Sequence, residues 1–392
     1  MSAESDIRII DKAVSVCQEK PFLYKFISAN DVGKTGSHQS GFYIPYSCWP
    51  LIFDKPGQKG KNTDRFVRIS WNDKEDTRSR FIWYGKGTRR EYRLTRLGKG
   101  FEYLKDKYIG SLLIIAKESE DTCQGFVLDT DDDIEQFMAR FNIMPSRSYG
   151  LIRPEIPDSG ETGIVPGNEL LEKYNLMTAE KFPDTKDIAA AARDICRGKG
   201  QPSDADEKII TWLDTEYSLF KYIEESRYTP LVQSGFQSVE KFLDFAQTVL
   251  NRRKSRAGKS LEHHLNAIFQ EHHLSFTPNC VTEGNKKPDF IFPGCDQYHD
   301  SSFPEESLVF LAAKTTCKDR WRQILNEADR MKTRHLFTLQ QGVSPAQLDE
   351  MARGGVQLVV PKKNIPHFPE KYRTAIMTLG MFIRYTREKT GP

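Results

Sequence analysis

From Ser260 onward, short apolar runs alternate with segments of helical period, and no other feature of the chain constrains its fold as strongly. A helix begins after Ser260, with Leu261, Leu265, Ile268 and Phe269 on one face. Strands follow at 289–292 and 308–314, then a helix over roughly 319–332 and a strand at 335–340. Ser344-Pro345, a good N-cap and first-turn pair, opens the next helix. A strand at 356–360 and a final helix from about 370 to 384 complete the series. The order α-β-β-α-β-α-β-α predicts an α/β domain, a central mixed sheet with helices on both faces.

The first part of the chain reads differently. Residues 1–152 carry short β-branched and aromatic runs such as 65–71, 79–84 and 111–116, separated by Gly- and Asp-rich turns. Asp131-Asp132-Asp133 opens one helix, where negative charge complements the helix dipole. This predicts a β-rich barrel-like or sandwich-like domain over 1–152. Pro154, Pro157, Gly160, Gly163, Pro166 and Gly167 punctuate 153–172, which reads as a linker. The remainder, 173–392, is the second domain, and 173–250 within it reads as helical, with apolar spacing in Val239, Phe242, Leu243 and Phe245. Two domains fit a length of 392 residues.

Composition excludes little. A net charge of +3 does not by itself argue for nucleic acid, so any such argument is local. Basic residues do cluster at Arg89, Arg90, Arg93, Arg96 and Lys99, and at Arg252, Arg253, Lys254, Arg256 and Lys259, where a solvated face is an equally good account. The seven cysteines form no C-x-x-C pair, which argues against a zinc site or a disulfide framework and fits a reducing cytoplasm. No run reaches the ~20 apolar residues of a membrane span, so the expected location is cytoplasmic.

The chemistry lies in Pro288-Asp289-Phe290-Ile291-Phe292, Ala312-Ala313-Lys314 and Glu327. An acid opens one strand, a lysine ends the next, and a second acid sits on the helix expected to follow. Two carboxylates suit an oxygen-ligated cation such as Mg²⁺, and a lysine beside them stabilises developing charge on a phosphoryl group. Ala312 stands where many nucleases place an acid, so Glu327 must supply that charge, with Glu262 as a fourth member of the site. Structural salt bridges among these residues are the plainer reading. Lys318-Asp319-Arg320 strengthens the nuclease reading, because Lys and Arg donate to guanine O6 and N7 and Asp accepts from cytosine N4. Trp321, Ile324, Leu325, Ala328 and Met331 read as core. Gly258-Lys259-Ser260 lacks the upstream glycine of a phosphate-binding loop, and the pairs His263-His264 and His272-His273 lack zinc-enzyme spacing.

The run 251–290, the run from Lys314 to Asp329 and the segment His335-Leu336-Phe337-Thr338-Leu339-Gln340 closely resemble the EcoRII family of type II (IIE) restriction endonucleases. Sparser matches, including Ser28-Ala29-Asn30-Asp31, Thr35-Gly36-Ser37-His38-Gln39 and Arg93-Leu94-Thr95-Arg96, extend the similarity to the first domain. The resemblance implies a C-terminal PD-(D/E)XK restriction-endonuclease-like domain, with catalytic positions at Glu262, Asp289, Lys314, Glu327 and Tyr298 and metal ligation by Asp289 and Glu327. It places base recognition on Lys318, Asp319 and Arg320. It also implies an N-terminal B3-like barrel domain that binds a further copy of the DNA site through His38, Tyr43, Lys86, Arg89, Glu91 and Arg93. In such a protein the first domain represses the catalytic part until that second copy is bound. The expected enzyme is an Mg²⁺-dependent homodimer cutting double-stranded DNA at a palindrome like CC(A/T)GG, functionally paired with a DNA methyltransferase. The competing reading is a sequence-specific DNA-binding regulator whose nuclease fold is inactive.

Overall fold

The computed structural model describes residues 7–33, 41–154, 167–177 and 181–391. His38 and residues 155–166 of the expected linker lie outside them.

Helix α1 (Ile9–Glu19) precedes strands β1 (Phe22–Phe26), β2 (Phe42–Ile44), β3 (Thr63–Trp71), β4 (Glu75–Tyr84), β5 (Glu91–Thr95), β6 (Leu112–Lys117) and β7 (Thr122–Leu128). Helix α2 (Asp131–Arg140) and strand β8 (Tyr149–Ile152) follow. The strands form one eight-stranded sheet in the order β2-β5-β4-β3-β7-β6-β1-β8, antiparallel except where β3 meets β7. Period-2 alternation gives each strand two destinations. Leu113 and Ile115 of β6 enter a core with Trp71, Phe42, Phe81 and Trp83. Leu112, Ile114 and Ala116 face the opposite way, against Ile10 and Ala13 of α1 and Ile134 and Phe137 of α2.

Asn168–Lys173 is a short helix, α3, so the expected linker ends earlier than its composition suggested. Helices α4 (Thr185–Gly198), α5 (Ala205–Ser234) and α6 (Val239–Glu271) come next. The sequence reading started a helix after Ser260, but α6 runs unbroken through the basic run at 252–259. Side-chain anchors explain this: Arg253 Nε donates to Glu224 Oε1 of α5 at 2.9 Å, and Arg256 is buried against the Phe220 ring. The far end of the α5–α6 hairpin carries exposed apolar side chains. Val239, Phe242 and Leu243, whose spacing read as helical, are exposed there, as are Leu231 and Val232.

The second sheet contains β9 (Thr277–Pro278), β10 (Phe290–Phe292), β11 (Val309–Lys314), β12 (Arg334–Thr338) and β13 (Val356–Val359) in the order β13-β12-β11-β10-β9. β10 is antiparallel to β9 and β11, while β11, β12 and β13 are parallel, so the sheet is mixed. One face packs on α5, α6 and α9 (Leu379–Thr390) through Phe290, Leu311, Phe337, Leu265, Phe269 and Phe382. Burying a ring such as Phe269 contributes about 2–3 kcal/mol. The other face packs Ile291, Phe310 and Leu336 on Trp321 and Ile324 and on Leu348 of α8 (Pro345–Arg353). Helix α8 starts at the expected Ser344-Pro345 pair, and Ser344 also forms a capping box with Gln347.

Three further expectations are corrected. The helix expected over 319–332 is a short 3-10 turn, Arg320–Asn326, and Glu327 follows it in extended backbone. The expected helix at 370–384 begins only at Leu379, after a 3-10 turn at Glu370–Ala375. Cys280 and Cys295 form a disulfide, because β9, β10 and the five-residue helix α7 (Cys295–His299) fold back on each other and bring their Cα atoms to 5.6 Å. No helix among the described residues is long and apolar enough to cross a membrane.

Candidate active site and DNA-reading face

The antiparallel register of β10 and β11 pairs Phe290 with Leu311, which sets Asp289 beside the end of β11. Ala313 N donates to Asp289 Oδ2 at 2.7 Å, and Lys314 Nζ lies 3.5 Å from the same oxygen. Glu262 approaches from α6 and Glu327 from the segment after the 3-10 turn. Both carboxyls are held above their ordinary range. For Glu262 the causes are burial and then the charge of Asp289, opposed by Lys314 and Lys259. For Glu327 burial is again the largest cause, Lys314 opposes it, and Asp289 adds to it. Asp289 thus adds to the raised proton affinity of both glutamates, and the three carboxyls around one lysine are the kind of oxygen donor set that a divalent hard cation takes. Ala312 is fully buried in the core and contributes no ligand.

Tyr298, the fifth expected catalytic residue, is not brought to this cluster. Its hydroxyl donates to Glu283 Oε2 at 2.6 Å, and burial followed by that carboxylate raises its pKa. Glu283 also accepts from Asp329 N at 3.2 Å, two residues beyond Glu327. Tyr298 therefore braces the segment carrying Glu327.

The triple Lys318-Asp319-Arg320 meets the first sheet's acidic helix. Asp131 Oδ1 accepts from Lys318 N at 3.0 Å, and its Oδ2 accepts from Asp319 N at 2.8 Å and Arg320 N at 3.0 Å. The Arg320 guanidinium donates to Glu135 at 2.6 Å and Asp132 at 2.7 Å. Lys318 is 3 % exposed, with its ammonium on Asp129, Ser111 Oγ and Lys107 O. Thr315 and Thr316 hydroxyls donate to Glu135 as well. Asp131 and Asp319 share this junction as a carboxyl pair. The contact with Asp131 and then burial raise Asp319 to about 7, while hydrogen bonds from Asp319 and three backbone N–H groups outweigh burial and lower Asp131. The sequence reading found both partners but not their meeting, which joins residues nearly half the chain apart.

On the first sheet, Tyr43 pairs with Arg93 across β2 and β5. Arg93 is buried, with Nε 3.2 Å from Glu91 and Nη1 directed at Gly41 O. Lys25, which sequence reading missed, lies over the Tyr43 ring and pairs with buried Asp31 at 2.6 Å; Asp31 stood in a quoted match but carried no role. Lys86 and Arg89 sit on an exposed loop held by Arg90 Nη1 to Gly85 O at 2.8 Å and by Asn62 Oδ1, which accepts from Gly85 N and Lys86 N.

A family profile described as EcoRII C terminal matches residues 220–383, and one described as restriction endonuclease EcoRII, N-terminal, matches 17–154. The type II restriction enzyme EcoRII of Escherichia coli is 39% identical over 398 residues, spanning 94% of this chain and 95% of that protein. Among solved structures, metal-depleted Ecl18kI bound to uncleaved, modified DNA is 18% identical with a TM-score of 0.45, covering 57% of this chain and 84% of its own. A PspGI–substrate DNA complex is 15% identical with a TM-score of 0.45, covering 53% and 93%.

Proposed function

This chain belongs to the EcoRII family of type II restriction endonucleases, and from that premise we propose that it hydrolyses DNA with Mg²⁺ at Asp289, Glu327, Lys314 and Glu262 while its first domain holds the recognition triple closed. The carrying observation is the cluster itself, Lys314 3.5 Å from Asp289 with Glu262 and Glu327 electrostatically linked to both. Asp289 and Glu327 would hold the cation, which supplies charge neutralisation at the scissile phosphate and a more acidic water. Lys314 stabilises charge developing on the phosphoryl oxygens, and Ala313 N fixes the Asp289 carboxylate for its task. Glu262 completes the polar wall on the helix side. Tyr298 acts as a positioning residue through Glu283. These acids and the lysine argue against the inactive-regulator reading.

Lys318, Asp319 and Arg320 are the base-reading residues of this proposal, for a palindrome resembling CC(A/T)GG. A twofold dimer would present one triple to each half-site. The exposed apolar end of the α5–α6 hairpin supports a self-associating surface. In the closed state the carboxylates of Asp129, Asp131, Asp132 and Glu135 take the donors that DNA would use. Effector DNA on the first sheet, through His38, Tyr43, Lys86, Arg89, Glu91 and Arg93, shifts the equilibrium by binding the open state better. Such an activity requires a partner methyltransferase that protects the host's own sites. The test is to digest a defined plasmid with Mg²⁺ and sequence the ends. One recurrent palindrome, with cutting abolished by chelator, is expected; ends scattered over unrelated sequences, or undiminished cutting in excess chelator, would contradict the proposal.

A further inference from the structure

The basic run on α6 does more than serve the closed contact. Arg252, Arg256, Lys259 and His263 follow one another at intervals of four, three and four residues, which places them along one face of the helix. That face lines an open cavity of ≈ 730 Å³ whose opposite wall is the N-terminus of α4, with Lys186 in its first turn. Asp184 occupies the N-cap position there without capping through its side chain, and it is the one acidic lining residue among those described.

We propose that this cavity is a phosphate-binding site. Three independent features point to an anion. The first is the N-terminus of a 14-residue helix, whose leading N–H groups and dipole favour negative charge. The second is Arg256, only 5 % exposed, whose Nε has no hydrogen-bond partner. Its guanidinium lies 3.7 Å from Glu216 and 4.4 Å from the Phe220 ring centroid, which holds its positive charge rigidly in the cavity wall. The third is the pair Lys186 and Lys259, both exposed and without an ion-pair partner among the described residues. Arg252 is stacked on the Phe182 ring at 4.3 Å, which orients its charge beside them.

Duplex DNA is the source of phosphate that the geometry favours, a choice that rests on the nuclease reading. Lys259 lies three residues before Glu262 on the same helix, one turn from the proposed active site. A backbone leaving the scissile phosphate along α6 would pass Lys259 and enter the cavity. The site would then grip phosphates outside the recognised base pairs, adding affinity that depends on flank length and salt and carries no sequence information.

The test uses the full chain and the variant Lys186→Gln/Lys259→Gln, both changes being on exposed side chains. Binding is measured by anisotropy on two cognate duplexes, one with long flanks and one trimmed to the recognition sequence, across a salt series. The variant is expected to lose about tenfold in affinity for the long duplex and about two units of the log–log salt slope. It should bind the trimmed duplex like the parent. In a second arm, inorganic phosphate is titrated without DNA while thermal melting is followed. Stabilisation of the parent but not the variant, with no effect of flank length, keeps the site and assigns it to free phosphoryl ions. Unchanged long-flank affinity and salt slope together with equal melting in phosphate would overturn it. Flank-dependent binding by a parent chain that cuts nothing would leave the site standing and sink the nuclease reading instead.

Discussion

The acidic cluster around Lys314 and the Lys318-Asp319-Arg320 triple lie a few residues apart on one chain, yet they are in opposite states. At the cluster, charges stand close without saturating each other: Lys314 and Asp289 are 3.5 Å apart, and Glu262 and Glu327 are left with raised proton affinity. At the triple, the backbone N–H groups of Lys318, Asp319 and Arg320 and both cationic side chains already have acidic partners from the first sheet. On the proposed reading, the difference teaches that the hydrolytic chemistry would be assembled in advance while sequence reading is withheld.

The largest effects should come from the cluster. Lys314→Ala, Glu327→Ala or Asp289→Asn should each slow cleavage at least about 10³-fold, about 4 kcal/mol of transition-state stabilisation, while cognate binding in the absence of turnover stays within a few-fold. Rates under single-turnover conditions check this, and a loss of under tenfold in any of the three would remove that residue from the chemistry. Changes at the triple should act on discrimination. Asp319→Ala or Arg320→Ala should narrow the preference for a cognate over a single-mismatch site by roughly 1–3 kcal/mol. Specificity ratios measured on paired duplexes decide it; an unchanged ratio would mean that the triple serves only the closed contact.

Much of this contrast was legible in the sequence, and its failures have physical causes. The strand behind Asp289 was visible because an uninterrupted apolar run follows a proline. Glu327 was placed correctly near the site but on the wrong element. Trp321 and Ile324, three apart, share a face in a 3-10 turn as well as in an α-helix, so the pattern could not tell them apart. The sequence reading ended one helical region at residue 250 and began another helix after Ser260, where α6 is continuous, because the side chains holding the join, such as Arg253 on Glu224, bond across the hairpin. The apolar spacing at Val239, Phe242 and Leu243 showed a helix, but periodicity cannot show whether such a face is covered, and these three side chains are exposed. Asp131 was read as a helix-dipole residue, and nothing local reveals that its carboxylate reaches Lys318. The disulfide was missed because its cysteines meet only after a strand turn and a short helix.

Two smaller effects sharpen the comparison. Tyr298→Phe removes the hydroxyl that holds Glu283, and should lower the single-turnover rate about tenfold with little change in binding. A change confined to binding would reassign Tyr298 to DNA contact. The second effect is on pH. Asp319 is raised to about 7 in the closed state and returns to the ordinary carboxylate range on opening, so protonation favours closure. Closure should strengthen as pH falls through about 7 and weaken above it. Because Asp319 is largely exposed, solvent screening limits the change between pH 8 and pH 6 to a few-fold. The ratio of single-site cleavage rates for the parent and an Asp131→Ala chain cancels the pH dependence of the chemistry. That ratio should fall toward pH 6, and a ratio that is flat or rises would contradict the shared-proton contact.

The most direct test of the closed contact is the cleavage rate of a duplex carrying one recognition site, for the parent chain and for Asp131→Ala/Asp132→Ala/Glu135→Ala, with and without a second, uncleavable cognate duplex. These acids hold the triple in the closed state but stand outside the catalytic cluster. A coupling of about 1–3 kcal/mol predicts that the substituted chain cuts the single-site duplex about 5- to 150-fold faster than the parent, and that added duplex brings the parent up toward it. Equal rates for the two chains, with no gain from the added duplex, would show that the acidic helix merely packs beside the triple and that the first domain does not hold the enzyme off.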